Sequence, residues 1–438
     1  MALGGGTFAG QHKTLPGAYV NFVSLARIGA AVSERGAAAM ALELDWGQVG
    51  EIFTVTNEEF IKNSLTIFGY DYSHNKMKGL RELFRNAKTL YGYRLGIWKS
   101  DGRSNFATCA FGTAKYSGIR GNDLSVVVCN ASGWYTVQTL LDGAVIDTQS
   151  VPNSAMLRDN DFVVWNKEAA LEPTSGMPFE GGKNPEISVG DYQTFLEKLE
   201  NYSPNAISTC TECQQVNQLF AEYTQISRDT RGAKLQCVIH DFSFDHEGVV
   251  NVINRVIPED GESVASLVYW VTGIIAGCAV NKSNLNKVYD GEYKVCADYT
   301  QSSLESAIKN GNFVLHKVGN TLRVLADINS LVRTSDEKGD VFKDNQTIRV
   351  IDQIANDIAA LFNNKYLGNV ANDEAGRISL WADIVKHHED LERIRAIENF
   401  SEEDVEVEPG NDKRSVIVKS RINVVNAMAQ VYMTCVIS

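Results

Sequence analysis

The side chains of the stretch Arg421–Ser438 alternate in polarity with a period of two residues. Its odd-numbered positions from Val425 onward are apolar or small, whereas its even-numbered positions mix apolar side chains with Asn426, Gln430 and Thr434. Such alternation predicts a β-strand with one apolar face and one mixed face. A terminal strand with no partner in its own chain tends to fray or to pair with another chain. We therefore expect another molecule to complete this strand.

A helical period of about 3.6 residues dominates the region before this strand. Residues 347–366 carry five apolar side chains on one stripe, namely Ile348, Ile351, Ile354, Ile358 and Leu361. Residues 373–400 predict a second long helix that ends in a polar run. Residues 405–425 then predict two strands joined by a turn at Pro409–Asn411. We expect these elements to form a closing α+β domain.

Helices and strands alternate between residues 186 and 330, an order typical of an α/β layered domain. The pattern predicts helices at 191–202 and 211–226, a strand at 233–242 and a hairpin at 311–328. The uncharged run Ser263–Val280 lies in this region and is nearly long enough to cross a bilayer. Because it lacks basic flanks and lies within the α/β alternation, we interpret it as a buried core helix.

Strand and turn signals dominate residues 97–185. Asp142–Gly143 lies between two β-rich runs, which is a strong short-range signal for a hairpin. The Pro- and Gly-rich loop 171–185 marks a boundary. The patterns together predict an α+β multidomain chain with an N-terminal arm (1–24), the N-terminal part of an α+β core (25–96), an inserted β-sandwich (97–185), an α/β domain (186–330), a closing domain (331–420) and a C-terminal strand arm (421–438).

Net charge narrows the range of partners. The formal charge is −13 and the pI is near 5.1, which argues against binding to nucleic acid or to an anionic lipid surface. No basic and apolar leader is present at the start, so we expect neither secretion nor stable membrane insertion. The eight cysteines are scattered, and we expect reduced thiols in a cytosolic assembly environment.

One motif has the residue types of a zinc site. Cys210 and Cys213 are three apart, as are Cys237 and His240. Residues 233–242 read as a strand, however, and positions three apart on a strand point to opposite faces. We therefore favour structural cysteines over zinc.

The other motifs that resemble metal-binding, phosphate-binding or catalytic sites are weak. The run Lys386–Asp390 contains two histidines without His-Glu-x-x-His spacing, so we interpret it as a solvated helical face. The glycine-rich start lacks the lysine of a phosphate-binding loop, and no Gly-x-Ser-x-Gly elbow occurs. We expect no catalytic residues, no bound metal and no cofactor. The acidic run Glu402–Glu408 is either a solvated surface or a contact for a basic partner.

Several stretches, taken in order and spacing, resemble one family. The resemblance runs from about residue 14 to residue 438 and rests on LPGAYVNFVS, RGAAAMALELDWG, YSGIRGNDLSVVV, WVTGIIAGCAVNKSNLNKVYDGE, GNFVLHKVGNTLRVLADINSL, RIRAIENF and VEVEPGNDKRSVIV. The family is that of the contractile tail sheath proteins of phages and phage-like particles of Gram-positive bacteria. It implies a structural protein with a subtilisin-like middle domain but without a protease triad.

The resemblance also implies a mode of action and a set of partners. Sheath subunits stack as six-membered rings into a helical sleeve around a tail tube, and contraction of the sleeve drives the tube through the target envelope. The implied partners are other copies of the chain, the tail tube protein, and the baseplate and tail terminator proteins. The implied location is a virion tail or a phage-like bacteriocin particle assembled in the bacterial cytoplasm.

Interface residues follow from the two predicted arms. We expect strands donated to neighbouring subunits, through main-chain pairing with alternating side chains. The N-terminal candidates are Tyr19, Val20, Asn21, Phe22 and Val23, and the C-terminal candidates are Val425, Ala427, Ala429, Val431, Met433 and Cys435. Glu389, Glu402 and Glu403 are candidates for contact with the tube or a neighbour. The alternatives are a hydrolase-like enzyme on the α/β domain and another tail or baseplate component.

Overall fold

The computed structural model describes residues 32–96, 105–259 and 261–437. These residues divide into two units. The sheet unit comprises residues 34–352 and 426–437, and the helix–hairpin unit comprises residues 32–33 and 353–425. Both units mix helices with strands. The predicted N-terminal interface strand lies outside the described residues.

The elements are as follows, in chain order. Residues 34–96 contain β1 (Ala37–Leu42), β2 (Ile52–Thr56), α1 (Asn57–Phe68), α2 (Lys78–Phe84) and β3 (Thr89–Arg94). Residues 105–185 contain β4 (Thr108–Cys109), β5 (Gly112–Ala114), β6 (Leu124–Ala131), β7 (Trp134–Leu141), β8 (Ala144–Val151), β9 (Val163–Trp165) and β10 (Thr174–Pro178). Residues 186–330 contain α3 (Val189–Leu199), β11 (Ala206–Thr209), α4 (Gln214–Ile226), β12 (Gln236–His240), β13 (Val249–Val252), α5 (Leu267–Gly277), α6 (Gln301–Lys309), β14 (Asn312–Phe313), β15 (Leu315–Val318) and β16 (Thr321–Val324). The rest of the chain contains α7 (Asn345–Leu361), α8 (Glu374–Arg393), β17 (Ile397–Glu398), β18 (Val405–Pro409), β19 (Val416–Ser420) and β20 (Asn423–Val424).

A seven-stranded sheet forms the centre of the sheet unit, in the order β14–β13–β12–β11–β1–β3–β2. Its strands are parallel except β2, which runs antiparallel to β3. Successive residues of β1 face opposite layers: Ala38 and Met40 pack with α1, α2 and α5, whereas Ala39 and Ala41 pack with α3 and α4. Both faces are therefore covered, which explains the continuous apolar character of these strands.

The uncharged run Ser263–Val280 forms a buried helix, as predicted. It contains α5, whose side chains Leu267, Trp270 and Ile274 are fully buried. A Cβ atom on Gly273 would lie only 2.4 Å from the carbonyl oxygen of Leu83, so the glycine allows α5 to pack closely on α2. Within the described ranges, no helix is both long enough and apolar enough to span a membrane.

The strands of residues 105–185 form two sheets around one apolar core. One sheet has the order β10–β6–β7–β8 and the other the order β4–β5–β9. The core includes Phe111, Val126, Val163 and Phe179. The predicted hairpin at Asp142–Gly143 joins β7 to β8, with φ angles of +52° and +79° at the two turn residues.

The helix–hairpin unit packs two helices against a small hairpin. Its core contains Leu361, Leu380, Ile384 and Val405, which come from the end of α7, from α8 and from β18. The predicted turn after Pro409 connects β18 to β19, which pair antiparallel. A second pair of short strands, β17 and β20, is also antiparallel.

Candidate assembly interface

The segment Met428–Ile437 leaves a run of apolar side chains in solvent. The exposed fractions reach 98% for Met428, 89% for Tyr432 and 95% for Ile437. The segment is in no strand, although its sequence alternates as a strand does. An exposed apolar run of this length is typical of a surface that another molecule covers.

The beginning of the predicted C-terminal arm is attached to the chain's own body. β20 pairs with β17, and the Val425 amide donates a hydrogen bond to the Ala396 carbonyl at 3.0 Å. The Ala427 amide donates to Oε1 of Gln346, also at 3.0 Å. The segment without a strand partner among the described residues therefore begins at Met428, not at Arg421. It retains the predicted candidates Ala429, Val431, Met433 and Cys435.

β19 presents a free strand edge among the described residues. Backbone hydrogen bonds close both ends of its hairpin with β18: the Arg421 amide donates to the Asp404 carbonyl, and the Gly410 amide donates to the Ser415 carbonyl. Because bonded and non-bonded pairs alternate in an antiparallel ladder, the main-chain groups of Val416 and Val418 point away from β18. This edge offers N–H and C=O groups to a further strand.

An apolar groove of about 490 Å³ lies beside this edge within the helix–hairpin unit. It is lined mainly by apolar side chains of α7, the turn after α7, α8 and β19, including Ile358, Phe362, Leu380, Ile384 and Val418. A strand added to β19 would place alternate side chains over the groove. The edge and the groove together can accept an extended apolar segment.

The three predicted acidic contacts lie on the surface of the helix–hairpin unit. Glu389 is exposed on α8, and Glu402 and Glu403 are exposed in a short 3-10 turn capped by Ser401. These three carboxylates form no ion pair with any of the described residues. Their negative charge is therefore available to a basic partner.

The prediction of a solvated face at Lys386–Asp390 is wrong for its two histidines. His387 is 0% exposed and His388 is 1% exposed. Asp357 and Ser420 lie within hydrogen-bonding distance of these rings. Residues distant in sequence supply these partners, so spacing within the helix gave no sign of them.

The cysteine–histidine motif is split between the two faces of the central sheet. Cys237 packs in the core with α3 and α4, and burial raises the pKa of its thiol. The neighbouring Val238 faces the opposite core. Nε2 of His240 lies 3.2 Å from the Asn254 carbonyl oxygen. Cys237 and His240 therefore have separate partners, as the strand period predicts.

A different group, Asp229, His246 and Glu247, brings its possible ligand atoms within 4.8 Å of one another. Nδ1 of His246 accepts a hydrogen bond from the Gly248 amide, so a neutral ring carries its proton on Nε2, which faces Asp229 at 3.3 Å. A protonated Nε2 cannot ligate a metal. The ammonium group of Lys338 lies 2.7 Å from Glu247 and supplies the positive charge instead. This is an ion-pair network.

A cleft of about 590 Å³ lies at the carboxyl ends of β1 and β11. This is where α/β sheets commonly bind ligands. The thiol of Cys210 lies 3.9 Å from the Ser266 hydroxyl, and burial raises the thiol pKa to about 11. The sulfur is therefore protonated at neutral pH and is not an activated nucleophile.

Three family models match the chain. The phage tail sheath C-terminal domain matches residues 337–438, and the phage tail sheath protein central domain matches residues 186–330. The tail sheath protein Gp18 domain III N-terminal region matches residues 35–95. All three describe tail sheath proteins.

Solved structures give the same result. The sheath tail protein of Desulfitobacterium hafniense is 30% identical over 95% of this chain and 99% of that chain, with a TM-score of 0.81. The sheath tail protein of Listeria innocua is 29% identical over 90% and 93% of the two chains, with a TM-score of 0.77. The contracted helical sheath of the anti-feeding prophage shares the fold at 12% identity, with 97% and 99% covered and a TM-score of 0.58. This chain belongs to the family of contractile phage tail sheath proteins.

Proposed function

We propose that this chain is the repeating subunit of a contractile sleeve. Its copies stack as hexameric rings around a tail tube, anchored on a baseplate and closed by a terminator protein. Contraction of the sleeve drives the tube through the target envelope. The work of the subunit is mechanical, and the central α/β layers, subtilisin-like in arrangement, serve as a rigid body. Assembly takes place in the bacterial cytoplasm.

The observation that carries this proposal is that the chain has both a strand-like segment and a strand edge without partners among the described residues. Residues 428–437 have the alternation and the exposed apolar side chains of a strand. The edge of β19 and its groove have the main-chain groups and the apolar lining that such a strand needs. We propose that the segment of one copy adds to β19 of a neighbour by β-augmentation.

Donation from copy to copy also explains a helical polymer. A contact between two different surfaces of identical subunits is heterologous, and it produces an open helix when it does not close on itself. A flexible donated strand also lets rigid bodies rotate while the link stays intact. The N-terminal candidates Tyr19–Val23 are proposed as a second link of the same kind.

Imaging of the purified protein tests the proposal directly. We expect negative-stain electron microscopy of the full chain to show rings or sleeves, more of them when tube protein is added. A preparation of monodisperse particles at all concentrations, with and without tube protein, would contradict the proposal.

Reversing the acidic charge of the helix–hairpin unit tests the proposed tube or neighbour contact. We expect the double variant Glu402→Lys/Glu403→Lys to co-assemble with tube protein about tenfold less well at low salt, because like charges then face a basic partner. The difference should shrink at high salt. Co-sedimentation measures it. The matched control is Asp336→Lys/Glu337→Lys, which makes the same charge change on exposed residues of the sheet unit. Equal co-assembly of both variants and the wild type would remove these carboxylates from the interface.

A further inference from the structure

A continuous row of polar groups, buried at its centre and exposed at its two ends, crosses the helix–hairpin unit. Oδ2 of Asp357 lies 3.0 Å from Nε2 of His387, and Nδ1 of His387 lies 3.5 Å from Nδ1 of His388. Nε2 of His388 lies 2.8 Å from the Ser420 hydroxyl. At the other end, the Ser33 hydroxyl donates to Oδ1 of Asp357 at 2.5 Å. The row therefore runs from Ser33 to the last residue of β19.

The two ends of the row are Ser33 and Ser420, and Ser420 is the last residue of β19. The groups between them belong to α7 and α8. The row therefore ties β19, the proposed acceptor edge, to the same two helices that line its groove.

The positions of the protons on the two rings show how each polar group in the row obtains a hydrogen-bond partner. Ionised Asp357 is an acceptor only, so His387 holds its proton on Nε2. When both rings are neutral, His388 donates from Nδ1 to the bare Nδ1 of His387, and the Ser420 hydroxyl donates to Nε2 of His388. One proton added to the pair of rings reverses the direction of these bonds without breaking any of them, and Asp357 balances its charge.

The charge of a second added proton is not balanced in this way. It would put two charged rings side by side with their Nδ1 atoms 3.5 Å apart and only one carboxylate, Asp357, to compensate. The other contacts of the rings include the hydroxyl of Ser420, the ring of Phe400 and the backbone carbonyl of Ile384, and none of these groups carries a charge. Lys386 and Glu389, the charged neighbours on α8, are exposed. A second buried charge therefore needs water, which requires the site to open.

We propose that the row from Ser33 to Ser420 is an acid-sensitive latch, which holds the acceptor edge β19 on α8 at neutral pH and opens when a second proton enters. Its effect on assembly rests on the proposed function, whereas the opening itself does not.

The pKa directions agree with this geometry. Burial and the neighbouring His387 ring lower the pKa of His388 to about 4. Burial alone would raise the pKa of Asp357, but hydrogen bonds from His387, Ser33 and Gln353 outweigh it and hold the pKa below its ordinary value. Because the unfolded state binds the His388 proton more readily, stability is complete above about pH 6.5 and is lost as the pH falls towards 4.

Hydrogen exchange on the dispersed full-length subunit tests the opening. We expect the protection factors of β19 and of the middle of α8 to fall at least tenfold between pH 6.5 and pH 4. His388→Gln keeps a polar side chain but cannot titrate, so it should keep most of its protection. The matched control His316→Gln, on β15, should behave as the wild type. Unchanged wild-type protection at pH 4, or an equal fall in His388→Gln, overturns the latch.

A second variant covers the case in which His388→Gln does not fold. Ser420→Ala keeps both histidines and removes only the hydroxyl at the end of the row. It should lower the protection of β19 already at pH 7 and reduce the further fall in acid. Protection equal to the wild type at both pH values contradicts the proposed link to β19.

Sedimentation of sleeves tests the consequence for the acceptor edge separately. We expect wild-type sleeves to dissociate between pH 5 and pH 4, and His388→Gln sleeves to persist, as measured by sedimentation. If the dispersed subunit opens in acid but its sleeves persist, the latch exists and its proposed role in holding the acceptor edge is wrong. If the full chain forms no sleeves at any pH, the proposed function fails and the exchange experiment still decides the latch.

Discussion

Truncation after Ala427 should abolish sleeve formation and leave the subunit folded. Of the removed residues, 428–437 have no strand partner among the described residues, and their apolar side chains lie largely in solvent. Their loss therefore removes no core contact, and the melting temperature should stay within about 2 °C of the wild type. Ala427 is kept because its amide bonds to Gln346. The measurements are a thermal melt by circular dichroism and negative-stain imaging.

The complete loss of assembly follows from cooperativity. Each net hydrogen bond of a donated strand contributes only about 0.5–1.5 kcal/mol, and ordering the strand costs about 1–2 kcal/mol per residue. One arm alone is therefore a marginal contact. In a lattice, each subunit donates and accepts, so the links raise one another's effective concentration. Removal of every arm removes every such link at once.

Two controls separate the arm from general damage. A variant of full length with Val431→Asp and Met433→Asp should fail to assemble like the truncation, because it keeps the backbone but loses the apolar face. A peptide of residues 428–438, added in excess, should slow assembly of the wild type by competing for the acceptor edge. The strand-donation proposal is contradicted if the truncated chain forms sleeves that are indistinguishable from those of the wild type.

The elements with a clear period could be predicted from the sequence. The hairpins at Asp142–Gly143 and Pro409–Asn411 follow from turn residues between alternating runs, and α5 follows from its uncharged run. These signals are local, so tertiary context does not alter them. α1 was not predicted, although a capping box at Thr56 and Glu59 marks its start and could have revealed it.

Other features depend on contacts between distant segments. β1 has the sequence Ala-Ala-Ala-Met-Ala-Leu, whose intrinsic propensity favours a helix, yet it is a central strand. Small side chains on both faces let helical layers pack on either side of it. The burial of His387 and His388 likewise depends on Asp357 and Ser420, which no local pattern relates to them.

The candidate interface was predicted in part. The alternation of Arg421–Ser438 correctly indicates a strand-like segment, but it does not show where the chain's own contacts end. The bonds of Val425 and Ala427 fix that point, and they come from segments far away in sequence. The acceptor edge of β19 was not predicted, because a free edge is defined by what does not pair with it. Its Val-Ile-Val run predicts only one strand of a hairpin.

Val418→Pro should weaken assembly while leaving the hairpin intact. The Val418 amide points away from β18, so a proline there removes a donor from the free edge and none from the β18–β19 ladder. Loss of one net hydrogen bond per link, about 0.5–1.5 kcal/mol, should raise the subunit concentration needed for sleeves by about two- to tenfold. Sedimentation across a concentration series measures this threshold.

The comparison that decides the geometry is between Val418→Pro and Val418→Ala. Both variants lose the isopropyl group over the groove, but only the proline loses the amide donor, so their difference isolates the main-chain bond. Lys419→Pro is the inverse control, because the Lys419 amide faces β18; it should destabilise the hairpin itself and lower the melting temperature. If the proline and alanine variants of Val418 share one assembly threshold, the donated strand does not pair with this edge. The groove would then be filled by side chains alone, and the acceptor of the arm would have to be another edge.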